Sequence, residues 1–162
     1  MVQLITDGAN VDEVADAALA AADKAFASIQ NDPGFAETAA LLTQLAVSAK
    51  KPDPAAHLAA NGFSLSAHSS IAEVAAAIHR TLDAKTAERG THSDFAEIAQ
   101  NSLVGAVTRH LQDSLGSLFA PSSADVHGEL AKLGSPNKFA TLARTFSTDY
   151  PITASIIFYL KR

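Results

Sequence analysis

Six histidines are the residues best suited to proton chemistry near neutral pH: His57, His68, His79, His92, His110 and His127. No two stand three or four positions apart, the spacing that puts two side chains on one helix face. Neither Glu-x-x-His nor His-Glu-x-x-His occurs, so the di-metal carboxylate and metalloprotease signatures are both missing. Two carboxylate–histidine pairs do share a helix face, His79 with Asp83 and His110 with Asp113. Each fits a local hydrogen bond or ion pair, because a metal needs three or four ligands and the others would have to come from elsewhere. His79 and His110 are the histidines to look for in a pocket.

Other chemistries find less support. The chain has no cysteine, which excludes disulfides, thiolate metal sites and Cys nucleophiles. It has no Gly-x-Ser-x-Gly elbow, no Gly-x-Gly-x-x-Gly and no P-loop. The serines gather at Ser64–Ser70 and Ser122–Ser123, where loop and cap roles suit them. The expectation is therefore no enzyme, with no catalytic, cofactor-binding or metal-binding residues and no cofactor.

The elements that would position these groups read as helices from end to end. Asn10 with Glu13 starts a helix to about Gln30, with an apolar stripe through Val14, Leu19, Phe26 and Ile29. Asp32-Pro33 and Asp53-Pro54 each pair an N-cap with Pro at the first helical position. The first of these helices ends near Lys50-Lys51, and the second closes at Asn61-Gly62. Ser70 with Glu73 forms a capping box for a helix to Gly90. Ser93 caps the next helix, which stops at Gly116. Its inward stripe is Phe95, Ile98, Ala99, Ser102, Ala106, His110 and Leu111. Ser122 with Asp125 starts a short helix closed by Gly134, and Ser135-Pro136 starts another through Phe139, Leu142, Ala143 and Phe146. Pro151 is expected to break the chain before a last apolar segment to Arg162. A weak strand pattern at Ile152–Leu160 is the one exception. The fold class is all-α: one domain over residues 1–162, a bundle of about seven helices.

A shift of 60 residues aligns 11–51 with 71–111 at twelve identical positions of 41, six of them Ala. They include Glu13/Glu73, Phe35/Phe95, Ala36/Ala96, Glu37/Glu97 and Val47/Val107. A duplicated helical hairpin would give this, and so would two amphipathic pairs sharing one binary pattern.

Charge and aromatics single out the last third. The formal net charge is −5, yet residues 101–162 hold six cations against four acids. That stretch is either solvated helix surface or a basic face for an acidic partner or nucleic acid. The run Leu142-Ala143-Arg144, a turn at Ser147–Pro151, then Ile156–Arg162 loosely resembles a helix-turn-helix. The second helix is apolar where base-reading helices carry Arg, Asn, Gln or Lys, so nucleic-acid binding is the lesser expectation. Five of the ten aromatics, Phe139, Phe146, Tyr150, Phe158 and Tyr159, lie in the last 24 positions. Core packing explains them, and so does an interface, where aromatics are enriched. The apolar end of the chain fits either a piece of a longer protein or a face for a partner.

The 162 residues are 48% hydrophobic and 18% charged, with 34 alanines, a composition that folds. No stretch approaches the ~20 apolar residues of a membrane span. The start, MVQLITDGAN, lacks a basic region and a long apolar run, so no secretory signal is read there. High Ala with low Lys suggests a bacterial source, and the cytoplasm is the default compartment. The functional expectation is a non-catalytic, alanine-rich interaction or oligomerisation module. It would hold a protein partner or a second copy, with Phe139, Phe146, Tyr150, Phe158 and Tyr159 as its contact residues. The alternatives are a DNA-binding or regulatory role for the basic third, and a small apolar ligand held between helices.

Overall fold

Helix starts fall where side-chain chemistry puts them. The computed structural model describes residues 31–66, 69–90, 92–116 and 121–160, the side chains of 150–160 excepted. The helices are α1 (Pro33–Ser48), α2 (Pro54–Ala60), α3 (Ile71–Arg89), α4 (Asp94–Leu115), α5 (Ser123–Lys132) and α6 (Pro136–Leu160). Asp32, Asp53, Ser70, Ser93 and Ser122 each accept a hydrogen bond from the backbone N–H three residues on. Ser70–Glu73 and Ser122–Asp125 are complete capping boxes. Gly90 ends α3 in the left-handed conformation that glycine adopts without strain. The protein is an all-α bundle, and no strand occurs among the described residues. The expected helix at Asn10–Gln30 lies outside them.

One local expectation fails. The chain does not break at Pro151, because α6 runs through it to Leu160. The weak strand pattern there is likewise helical. Proline inside a helix removes one backbone hydrogen bond and crowds the carbonyl four residues back, at a cost of about 3 kcal/mol. A 25-residue helix has many other hydrogen bonds to hold it together across such a site. The helix-turn-helix resemblance falls with the turn, since Ser147–Pro151 is helical.

α4 is the central element, packed against α1, α3, α5 and α6. Its buried stripe is Ala96, Ile98, Ala99, Ser102, Leu103, Ala106, Val107 and Leu111. Leu41 and Leu45 of α1, Val74, Ile78 and Leu82 of α3, Val126 of α5 and Leu142 of α6 meet its Leu103, Ala106, Val107 and Leu111 in one cluster, while Ile98 and Ala99 form a second with Phe35 and Phe95. Burying each such side chain contributes about 1.5–3 kcal/mol. The largest fully buried side chain, Phe63, lies outside any helix. Its N–H donates to the Leu58 carbonyl and that of Gly62 to the Ala59 carbonyl, both at 3.0 Å. This pairing is a Schellman motif, whose second residue past the cap is typically apolar and folds back on the helix. Thr81 of α3 donates to the Gly62 carbonyl at 3.1 Å and ties the turn down.

Glu37 joins α1 to α3. Its largely buried carboxylate pairs with Lys85 at 3.4 Å and with Arg89. The aligned residues of the two similar stretches share environments only in part: Phe35 and Phe95 are both half-buried, and Ala46 and Ala106 are both buried. Glu37 and Val107 are buried, whereas their counterparts Glu97 and Val47 are exposed, and Ala96 is buried where Ala36 is exposed. The first half of the first repeat lies outside the described residues.

Candidate functional site

α3 and the start of α4 enclose a polar cleft of about 510 Å³. His79, Asp83 and Thr86 line it from one face of α3, at the four- and three-residue steps that keep side chains in register. Asp94, Glu97, Gln100 and Asn101 line it from α4, and His92 and Ser93 from the segment between. Two capped helix starts and one antiparallel pairing are enough to bring these groups together.

Gln100 organises the cleft. Its amide nitrogen lies 2.8 Å from His79 Nδ1, 2.9 Å from Asp83 Oδ1 and 3.3 Å from the His79 carbonyl. The carboxylate and the carbonyl can only accept, which orients the amide with its NH₂ towards them. His79 Nδ1 is then an acceptor too, and the ring proton of neutral His79 sits on Nε2. His79 therefore brings a donor to the cleft and Asp83 an acceptor. The hydroxyls are used structurally. Ser93 donates to Asp32 at 2.6 Å and accepts from the Ala96 N–H, and Thr86 donates to the Leu82 carbonyl. The His79 lone pair that a general base would use is held by Gln100. The arrangement is suited to recognising a polar ligand.

A second pair of groups was not legible as a pair. Ser48 Oγ lies 2.7 Å from His57 Nδ1, the separation of a nucleophile and its base. Ser48 is fully buried, at 0% exposure, so no substrate reaches it. The bond ties α2 to the end of α1. Residues nine apart on separate helices give no periodic signal, so sequence reasoning missed it.

His110 is half-buried on α4, facing Glu129 of α5 and Lys138 of α6. Burial, then the charge of Lys138, lowers its pKa; Glu129 and Asp113 act in the opposite direction. Glu129 is held below the usual carboxylate range by the Lys132 ammonium, with burial opposing. His110 Nε2 and Glu129 Oε2 are both buried without a hydrogen-bond partner. The expected His110–Asp113 pair is thus a weak charge contact beside a stronger interhelix one. His68 lies outside the described residues. No group of three or more His, Asp or Glu able to hold a metal occurs among the described residues.

The aromatic contact residues divide. Phe146 is buried in the core and stacks on Phe35, ring centroids 6.1 Å apart. Phe139 packs partly buried against the same core. Both rings are used inside this chain. The side chains of Tyr150, Phe158 and Tyr159 lie outside the described residues. Of the cations in the last third, Arg109 pairs with Asp149 at 3.1 Å and Lys132 with Glu129, which reduces the basic surface. No helix among the described residues is long and apolar enough to cross a membrane. Comparison with protein-family models, curated proteins and solved structures gives no match, so the reading of this site rests on its own geometry.

Proposed function

We propose that the chain is a non-catalytic helical interaction module that receives a basic segment of a partner protein in the α3–α4 cleft. The observation that carries this is the placement of charge on α3. Lys85 and Arg89 are drawn to Glu37 on the α1 side, while Asp83 lines the cleft opposite Glu97. No Lys or Arg is among the described residues lining the cleft. Neighbouring like charges in a concave site raise the local concentration of counter-charge and favour a cation over water. Gln100, Asn101 and His79 supply the neutral polar contacts that would fix a peptide backbone or side chain. An apolar docking face has less support: Val47 is the one exposed large hydrophobic among the described residues.

The test is calorimetric titration with a deca-lysine peptide at low ionic strength, on the wild type and on Asp83→Asn/Glu97→Gln. Each exposed charge contact is worth about 0.2–1 kcal/mol, so losing both weakens binding about tenfold. No heat of binding at low salt, or equal affinity in the variant, overturns the reading. Placing the chain in the bacterial cytoplasm belongs to the same proposal and rests on composition alone.

A further inference from the structure

A second cavity, of about 190 Å³, opens between the end of α1, α2, the segment after it and α5. Its walls are mainly apolar, Leu45, Leu58, Phe63, Leu65 and Leu130 among them. A dry engineered cavity of about 150 Å³ lined by such residues is large enough for benzene. This one therefore has room for a single six-membered ring with a small substituent. Two polar side chains reach the lining, His127 and Asp53. His127 Nδ1 lies 2.7 Å from the Ser123 carbonyl. A carbonyl only accepts, so Nδ1 carries the proton and neutral His127 has its lone pair on Nε2. Asp53 accepts the Ala56 N–H through one oxygen and remains an acceptor at the other. Both polar groups thus offer an acceptor, and the Asp53 charge disfavours an anion. We infer that this cavity is a binding site for a small neutral aromatic alcohol, with the ring among the leucines and Phe63 and the hydroxyl donating to His127 Nε2. The site is separate from the cleft and independent of the role proposed for it.

The experiment uses phenol, toluene and benzoate as probes on the isotope-labelled full chain, followed by amide shift changes. Phenol is expected to saturate, with the largest shifts in α2, Phe63 and α5, and to bind more tightly than toluene. Benzoate is expected not to bind there. His127→Leu should weaken phenol about fivefold, the worth of one hydrogen bond, and leave toluene unchanged. Ala131→Leu, at the exposed rim, should block both while circular dichroism shows the helices intact. Phenol shifts that are absent or lie elsewhere overturn the site. Equal affinity for phenol and toluene overturns the role of His127, and with it the ligand class.

Discussion

The hydroxyl of Ser93 lies 2.6 Å from a carboxylate oxygen of Asp32, 61 residues earlier in the chain. Asp32 caps α1 through its other oxygen, and Ser93 caps α4 through the same hydroxyl. One hydrogen bond thus joins two helix starts, and Asp32 is buried at the junction. The cleft depends on it, because the first turns of α4 present Asp94, Glu97 and Gln100.

Ser93→Ala removes a cap and leaves a buried carboxylate short of a donor. A cap is worth about 1 kcal/mol, and a hydrogen bond to a charged group about 1.5–3 kcal/mol. Urea denaturation should show a loss of about 2.5–4 kcal/mol, with Asp32→Asn and Ser93→Ala non-additive in a double-mutant cycle. Additive, sub-kilocalorie losses would contradict the coupling.

Gly34 sits at a close approach of α1 to α4. A Cβ at this position would stand 2.2 Å from the Ala96 Cβ and 2.9 Å from its Cα. Gly34→Ala should therefore destabilise by about 1–3 kcal/mol, as overpacking does. Gly105 and Gly128 lie inside helices, and a Cβ at either would meet nothing within 4 Å. Gly105→Ala and Gly128→Ala should each stabilise by about 0.5–1 kcal/mol. Thermal melts of the three variants give the signs directly.

His110 makes stability depend on pH in a definite direction. Burial and Lys138 lower its pKa in the folded state, so the unfolded chain takes up the proton first as pH falls. The stability it contributes is complete above the unfolded value of 6.5 and is lost as pH drops towards the folded value. Wild type should therefore lose more stability than His110→Gln between pH 7.5 and pH 5. Denaturant midpoints that fall in parallel would contradict this.

Local chemistry is legible in the sequence, and chemistry between helices is not. Asp32-Pro33, Ser70/Glu73, Ser122/Asp125 and Gly90 mark helix ends because a cap is built from residues within a few positions of one another. The stripes are legible within a residue or two, since 3.6-residue periodicity is itself local. Gln100 and His79 are 21 residues apart on different helices. No pattern along the chain announces that they meet. Phe63 directly follows the Asn61-Gly62 closure, and an apolar residue at that place is the mark of a Schellman motif. Pro151 reads as a break because the local rule is strong, yet α6 continues through it.

The α3–α4 cleft is proposed to receive a cationic segment. Amide shift mapping on the labelled chain with deca-lysine, at low and then high ionic strength, tests it most directly. Saturable shifts are expected at Asp83, Glu97, Gln100 and Asn101, fading as salt rises, since screening weakens exposed charge contacts. Shifts scattered over every acidic residue, or none at the cleft at low salt, would contradict it.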